Sequence, residues 1–272
     1  HDKMENTFAT TIYNIGSFDL TGTKTWKDYN NVYETRPENL TLTLYQHAGR
    51  KPESDAPKDP WQAVTVADGQ LVWTKPGPGA DNANTWTYTY SDLPYADDTG
   101  TIYIYQVVEK VPGIASASQV GEKDSYAESY DDTHLYITNR LDGEVDLTVT
   151  KEWLDGSNDD DLRPETITLI LYKRNESENE DVKHVVKRVE IKAPGVMSRL
   201  IRFLTGTVDT WTYTFENLPK FDDNGAKIYY TVEEAAVPGY DSQWETTGSP
   251  DKGFTAKLTN TLLTKVPVKK IW

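Results

Sequence analysis

The stretch Thr85–Pro94, with the sequence TWTYTYSDLP, recurs as Thr210–Pro219, with the sequence TWTYTFENLP. Aromatic residues alternate with threonines in both copies. This period of two indicates a half-buried β-strand, and Leu-Pro follows it in each copy. An aspartate pair comes next, at residues 97–98 and at residues 222–223. A strand pattern that returns together with its turn predicts two copies of one β domain.

Other segments repeat in the same order. Lys24-Thr-Trp matches Lys151-Glu-Trp, and an Arg-Pro-Glu sequence precedes an alternating strand in each half. These matches predict complete repeats at residues 17–142 and 143–263. Residues 1–16 resemble the last strand of a repeat, and residues 264–272 resemble a first strand. We therefore expect a slice of an array of at least four units, with one spare strand at each end.

Composition narrows the functional classes. The 272-residue chain has a formal net charge of −15, which argues against nucleic acid or an anionic membrane as a partner. No apolar stretch is long enough to insert into a membrane. The chain has 17 tyrosines, 8 tryptophans and no cysteine, so it favours strands and needs some stabilising device other than disulfides.

Short alternating strands separated by Pro-Gly and Asp-Gly turns predict an antiparallel β-sandwich in each repeat. Two segments do not follow this pattern. Residues 194–204 fit either a short helix or an extra strand carried on an insertion. The segment with Ser125, Tyr126 and Tyr130 is predicted to be a loop that packs its own tyrosines.

Three strands of each repeat place a polar residue among the apolar residues of one face. The first strand carries a lysine there, the penultimate strand a glutamate and the last strand an asparagine. An unpaired buried charge is costly, so we expect these side chains to meet. The residues of the two sets are Lys24, Glu109 and Asn139 in the first repeat, and Lys151, Glu234 and Asn260 in the second.

These strand patterns allow two interpretations. One is a buried Lys–Glu ion pair whose hydrogen bonding is completed by the asparagine amide. The other is a covalent cross-link, because an apolar site lowers the pKa of lysine and raises that of glutamate. A neutral amine could then attack the asparagine carbonyl, while glutamate polarises that carbonyl and moves protons and ammonia leaves.

The ordered motifs resemble the B-type repeats of the collagen-binding adhesin family (Cna B-type domains). The series is Lys-x-Trp, Trp-Thr-Tyr with Leu-Pro, Tyr-x-Val-x-Glu with Val-Pro-Gly, and Thr-Asn. The resemblance implies an all-β fold of tandem reverse immunoglobulin-like sandwiches. It also implies an isopeptide bond from Lys24 to Asn139 and another from Lys151 to Asn260.

The resemblance assigns Glu109 and Glu234 as the acidic residues that assist bond formation. Glu233 is the neighbouring candidate, but strand alternation predicts that it faces outward. Asn14 and Lys270 would be orphan half-sites, because each lies on a spare strand without its two partners. Gly22 stands before Lys24 in place of an apolar residue, which could misplace the first set.

The sequence contains no clear motif for binding a metal or a cofactor. The acidic run at residues 155–161 lacks the glycine and glutamate that an EF-hand loop requires, so a solvated acidic turn is expected. The aspartate pairs at 97–98 and 222–223 fit turn caps. His47, His134 and His184 share no metal-ligand spacing. We expect neither a metal nor a cofactor.

The resulting hypothesis is a stalk segment of an adhesin or pilus-like protein on the wall-attached outer surface of a Gram-positive bacterium. Each module would form its bond once, so no enzyme activity with turnover is expected. Neighbouring repeats are the expected partners, and the chain is expected to be a monomer. The alternative is an adhesin module that binds a host matrix protein or a glycan.

Overall fold

The computed structural model describes residues 16–49, 61–77, 79–114, 123–158, 162–193 and 211–263. These residues form 15 strands and two short 3-10 turns, Tyr29–Asn31 and Gly156–Asn158. No helix among the described residues is long and apolar enough to cross a membrane. Residues fall into two compact units: the first includes the described residues up to 114 and 126–140, and the second includes 123–125 and 141–263.

The first repeat contains eight strands in two sheets. One sheet has five strands in the order β4-β5-β1-β8-β7, and the other has three in the order β3-β2-β6. The strands are β1 (Ser17–Lys27), β2 (Thr41–Ala48), β3 (Gln62–Ala63), β4 (Leu71–Thr74), β5 (Thr85–Pro94), β6 (Tyr103–Lys110), β7 (Ser125–Tyr130) and β8 (Tyr136–Asp142).

The second repeat contains seven strands with the same plan. Its larger sheet has the order β12-β9-β15-β14, and its smaller sheet has the order β11-β10-β13. The strands are β9 (Glu144–Leu154), β10 (Thr166–Asn175), β11 (His184–Lys192), β12 (Trp211–Pro219), β13 (Ile228–Glu234), β14 (Tyr240–Ser249) and β15 (Gly253–Leu262).

Residues from both sheets of each repeat meet in one hydrophobic core. In the second repeat, Val149 and Leu258 of the larger sheet share a core with Leu169 and Val232 of the smaller sheet. The first repeat packs β2 and β6 against β5 and β8 in the same way. Two sheets enclosing one core make each repeat an immunoglobulin-like β-sandwich. The predicted all-β fold is therefore confirmed.

The first and last strands of each repeat lie side by side and run parallel. Strand β1 pairs with β8, and β9 pairs with β15. The pairs β1–β5, β4–β5, β2–β3, β2–β6, β10–β11, β10–β13, β9–β12 and β14–β15 are antiparallel. This parallel contact puts the inward-facing residues of the two terminal strands next to each other, which is the feature that positions the site.

The repeated Leu-Pro motif ends its strand at a bulge. The ladder register shifts just before Leu93 and Leu218, where Asp92 and Asn217 adopt positive φ angles of 56° and 54°. Aspartate and asparagine tolerate this left-handed conformation better than most residues. The positive φ angle at this position thus explains why aspartate or asparagine precedes Leu-Pro in both copies.

Two of the sequence-based predictions are wrong. The glutamates lie on β6 and β13, and each of these strands is followed by two more strands of its repeat, so the glutamate is not on the penultimate strand. The segment with Ser125, Tyr126 and Tyr130 is strand β7 and not a loop. Tyr126 is 3% exposed, and its hydroxyl lies 2.6 Å from the Thr35 hydroxyl. Only Tyr126 of this strand is fully buried, so the segment lacks the regular apolar alternation that would have indicated a strand. Residues 194–204 lie outside the described ranges.

Candidate functional site

Lysine and glutamate meet inside both repeats. The Lys24 Nζ lies 2.9 Å from Glu109 Oε2, and the Lys151 Nζ lies 3.2 Å from Glu234 Oε2. Each glutamate comes from the smaller sheet and each lysine from the larger one, so each pair spans its sandwich. Both lysines are completely buried, and the glutamates are 3% and 6% exposed.

Asparagine completes each set from the last strand. Asn139 and Asn260 are both completely buried. In the ladder, Lys151 is opposite Leu258, so Asn260 lies at the next inward-facing position of the adjoining strand. Lys24 has the same relation to Asn139. Long side chains at such diagonal positions are within reach of each other.

Burial changes the proton affinity of these groups. Burial lowers the pKa of Lys24 and of Lys151 to about 8, although the nearby glutamate favours the charged amine in each case. Burial raises the pKa of Glu109, against the opposing effects of Lys24 and Asn139. The first repeat thus brings a lysine that releases its proton more readily next to a glutamate that holds its proton more tightly.

Several polar atoms of the two sets have no hydrogen-bond partner. They are the second carboxylate oxygen of each glutamate and both side-chain amide atoms of each asparagine. Asn139 lies close enough to Glu109 to favour its charged form, but neither of its amide atoms makes a hydrogen bond of normal geometry. Buried amides without partners are rare and costly in folded proteins. The same atoms are without partners at the same place in both repeats.

This arrangement supplies the groups for one reaction. The amine is a nucleophile when it is neutral, and the asparagine carbonyl is an electrophile on the adjoining strand. The glutamate can take a proton from the amine and give one to the leaving nitrogen. Among the described residues, no group of three or more His, Asp or Glu side chains could hold a metal.

The sequence analysis missed a second polar cluster beside each site. Arg36 forms a two-pronged ion pair with Asp28, and Arg163 forms the same pair with Asp155. Each arginine also lies over the tryptophan of the Lys-x-Trp motif. Its Cζ atom lies 5.5 Å from the ring centre of Trp26 in the first repeat and 5.4 Å from that of Trp153 in the second. The arginine thus joins the aspartate to the tryptophan that lies two residues after the site lysine.

A signal for this cluster exists in the sequence. The aspartate follows the site lysine by four positions in both repeats, and the arginine follows at the same spacing from the lysine in both. Burial alone would raise the pKa of Asp155, but hydrogen bonds from Arg163 and Tyr240 outweigh burial and leave it below the usual value. The first residue of the predicted acidic turn is therefore a buried structural group.

Gly22 does not displace the first set of residues. A Cβ atom on Gly22 would lie 2.3 Å from the Tyr88 ring and 2.4 Å from the Leu135 carbonyl oxygen. The Tyr88 side chain occupies that space, and its hydroxyl donates to the same carbonyl at 2.8 Å. Glycine is required there because the tyrosine crosses directly over the strand.

The remaining candidate residues lie elsewhere. Glu233 faces outward, where it pairs with Lys183. Asp97 and Asp222 each accept hydrogen bonds from backbone amides two and four positions later, so they cap turns. Asn14 and Lys270 lie outside the described residues, so both orphan half-sites stay predictions.

Comparison with known proteins gives the family. The Cna protein B-type domain matches residues 20–140 and again residues 147–261. The chain belongs to this family. The two matched segments each contain one complete set of lysine, glutamate and asparagine.

The chain is also similar to individual proteins. The chain is 26% identical over 264 residues to the collagen adhesin of Staphylococcus aureus, and this alignment covers 96% of the chain and 18% of that protein. A crystal structure of two B repeat units (B1B2) of the S. aureus collagen-binding protein is 26% identical, with a TM-score of 0.31, over 93% of this chain and 51% of the other. An adhesin from Mobiluncus mulieris containing disulfide, isopeptide and ester cross-links is 9% identical, with a TM-score of 0.33, over 92% of this chain and all of the other.

Proposed function

We propose that each repeat forms an autocatalytic isopeptide bond between its first and last strands. The bonds join Lys24 to Asn139 and Lys151 to Asn260. The observation that carries this proposal is the same buried set in both repeats, with lysine and glutamate in contact and the asparagine amide unpartnered. An ion pair completed by the amide would instead give the asparagine hydrogen bonds.

We propose that these repeats act as stalk modules of a surface adhesin or pilus-like protein of a Gram-positive bacterium. The matched curated relative is a collagen adhesin, and this chain spans 18% of its length. The lysine, glutamate and asparagine of both repeats are buried, which suits a spacer better than a binding surface. The bond forms once per module, so no turnover is expected.

Intact mass of the folded chain tests the cross-links. The natural sequence should be lighter than its calculated mass by two ammonia molecules. Lys151→Arg should lose only one, because arginine stays protonated and cannot attack. The double variant Lys24→Arg with Lys151→Arg should lose none. A chain with its full calculated mass would reduce the sites to ion pairs.

The neighbouring glutamates provide a matched control. Glu234→Ala should block the second bond, because it removes the only carboxylate in contact with Lys151 among the described residues. Glu233→Ala lies one position away on the same strand but faces outward, so it should leave both bonds intact. Equal effects of the two changes would contradict the assigned role of Glu234.

The stalk role has a separate test. A stalk module should show no tight binding when the two-repeat chain is screened against collagen, other matrix proteins and glycans. A saturable, tight interaction with any of these would instead support an adhesin module that binds a host molecule.

A further inference from the structure

An indole nitrogen in each repeat is buried without a hydrogen-bond partner. The Nε1 atoms of Trp26 and Trp153 have none, and the two residues are 2% and 5% exposed. Buried tryptophans usually find an acceptor for this N–H group. The same N–H group has no partner in both repeats, so the missing hydrogen bond is a common feature of the two sites.

Each of these tryptophans lies beside the asparagine of its site. Trp26 is directly opposite Asn139 in the ladder, and Trp153 is directly opposite Asn260. Both members of each pair face the core, and side chains at directly opposed positions are in reach of each other. The lysine Nζ lies 4.9 Å from the Trp26 ring centre in the first repeat and 4.5 Å from the Trp153 ring centre in the second. The indole thus borders both reacting groups.

In each ladder, a residue with an unpartnered donor is therefore directly opposite a residue with an unpartnered acceptor. The asparagine Oδ1 is unpartnered in both repeats, as is the indole N–H. In the resting state their geometry does not make a hydrogen bond. The carbonyl carbon changes from planar to tetrahedral when the amine attacks, which moves Oδ1 and gives it negative charge.

We propose that the Nε1–H of Trp26 and of Trp153 donates a hydrogen bond to the oxyanion that forms on the adjoining asparagine. The inference deepens the proposed cross-linking function and rests on it. The neutral lysine Nζ bonds to Cγ, and the carbonyl π electrons move to Oδ1. A proton passes from Nζ through the glutamate to Nδ2, the Cγ–Nδ2 bond breaks, and ammonia leaves as the carbonyl reforms.

The glutamate can polarise this carbonyl, but it must also move protons while the negative charge is on the oxygen. It must accept a proton from Nζ and deliver one to Nδ2 during the same reaction, so its own hydrogen is engaged elsewhere. The indole N–H does not titrate in this range and is fixed by packing, which makes it a preorganised donor. Donors of this kind lower the barrier because they need no reorganisation when the charge appears.

The other tryptophan of each site does not share this feature. Trp86 and Trp211 lie opposite the lysines in the ladder and not opposite the asparagines. The Trp211 Nε1 is unpartnered, but the corresponding nitrogen of Trp86 is not among the unpartnered buried atoms. Only the indole of the Lys-x-Trp motif has the same isolated donor next to asparagine in both repeats.

Substitution by phenylalanine tests the role of the indole N–H. Trp26→Phe and Trp153→Phe keep an aromatic ring and remove the donor. Chains would be made by cell-free translation, quenched at intervals and weighed, and peptide mapping would assign each ammonia loss to its repeat. Each variant should slow its own bond by about tenfold or more. The unchanged repeat of the same chain should react at the natural rate and serves as an internal control.

Trp86→Phe is the matched control for packing. Its ring lies 5.1 Å from that of Trp26, so it perturbs the same aromatic cluster without removing the proposed donor. It should leave the rate unchanged. The dependence of the rate on pH should keep its midpoints in Trp26→Phe while the maximal rate falls, because the lysine and glutamate are unaltered. Circular dichroism would establish that each variant is folded.

Three results would overturn the inference. The first is a natural rate in both Trp26→Phe and Trp153→Phe. The second is equal slowing by Trp86→Phe and Trp26→Phe, which would reveal a packing effect. The third is a shift of the pH midpoints in Trp26→Phe. A natural chain that never loses ammonia would instead overturn the proposed function itself, so the two failures are distinguishable.

Discussion

At the scale of single residues, the site depends on one proton shared by lysine and glutamate. Lys24 has its pKa lowered to about 8 by burial, and Glu109 has its pKa raised by burial. The reactive state, with a neutral amine and a protonated carboxyl, holds the same number of protons as the ion pair. Its population is therefore independent of pH between the two titrations of the coupled pair.

The rate of bond formation in the first repeat should follow this proton count. It should be constant through neutral pH and fall above a pH of about 8, where the pair loses its proton and the leaving nitrogen cannot be protonated. It should also fall below the raised pKa of Glu109, where the amine is cationic and the carboxyl is protonated. Mass measurements on freshly translated chains in buffers of different pH would give the profile. A rate that keeps rising through the titration of Lys24 would show that the carboxylate acts only as a base.

The arginine–aspartate cluster should stabilise each repeat. Arg163→Ala leaves Asp155 buried without its cation, and breaking a buried pair in this way costs about 3–5 kcal/mol. Denaturant unfolding in the Lys151→Arg background would measure the loss without interference from the cross-link. Lys183→Ala breaks the more exposed pair with Glu233 and should cost under about 1 kcal/mol. Equal losses from the two changes would argue against a buried structural role for Arg163.

At the scale of elements, strand alternation predicted the site well. It placed Lys151, Glu234 and Asn260 inward and Glu233 outward, because a strand sends successive side chains to opposite faces. The need to bring these polar groups together also predicted that the terminal strands lie side by side. Their parallel direction was not predicted, because the alternation of side chains is the same in parallel and antiparallel pairs.

Other features depend on tertiary contacts that no local pattern contains. The burial of Asp28 requires the adjacent residues Thr35 and Arg36 to meet Tyr126, which lies 91 residues after Thr35 on strand β7. The close packing of Tyr88 on Gly22 could not be predicted from the sequence either, because the two residues lie on different strands. Strand β7 was missed because it has a single fully buried position.

The close approach of β1 and Tyr88 gives a prediction for Gly22. Gly22→Ala places a methyl group within 2.3 Å of the tyrosine ring and should destabilise the first repeat by about 1–3 kcal/mol. Gly16→Ala, just before the same strand, meets nothing within 4 Å and should have little effect. Thermal unfolding in the Lys24→Arg background would compare them. A neutral Gly22→Ala would show that the tyrosine moves aside without cost.

At the scale of the whole molecule, the proposed bonds would make each repeat a closed covalent loop. A link across a loop of about 100 residues stabilises a fold by about 4–5 kcal/mol in the chain-entropy description developed for disulfides. The chain contains no cysteine, so it has no disulfide to serve this purpose. With the proposed bonds in place, tension that enters at β1 or β9 would pass through the bond to β8 or β15 and bypass the other strands.

Pulling single molecules by their two ends tests this force path. The natural chain should extend without unfolding steps, because the residues between the linked positions are shielded from force. The double variant Lys24→Arg with Lys151→Arg should show two unfolding steps, one for each repeat. Two steps in the natural chain would mean that the bonds do not carry the load.

Peptide mapping of the folded chain tests the cross-links most directly. After proteolysis, tandem mass spectrometry should find two branched peptides, one joining Lys24 to Asn139 and the other joining Lys151 to Asn260. Each should be lighter by one ammonia than the sum of its two linear parts. Recovery of all four residues in linear peptides of unmodified mass would contradict the proposed bonds.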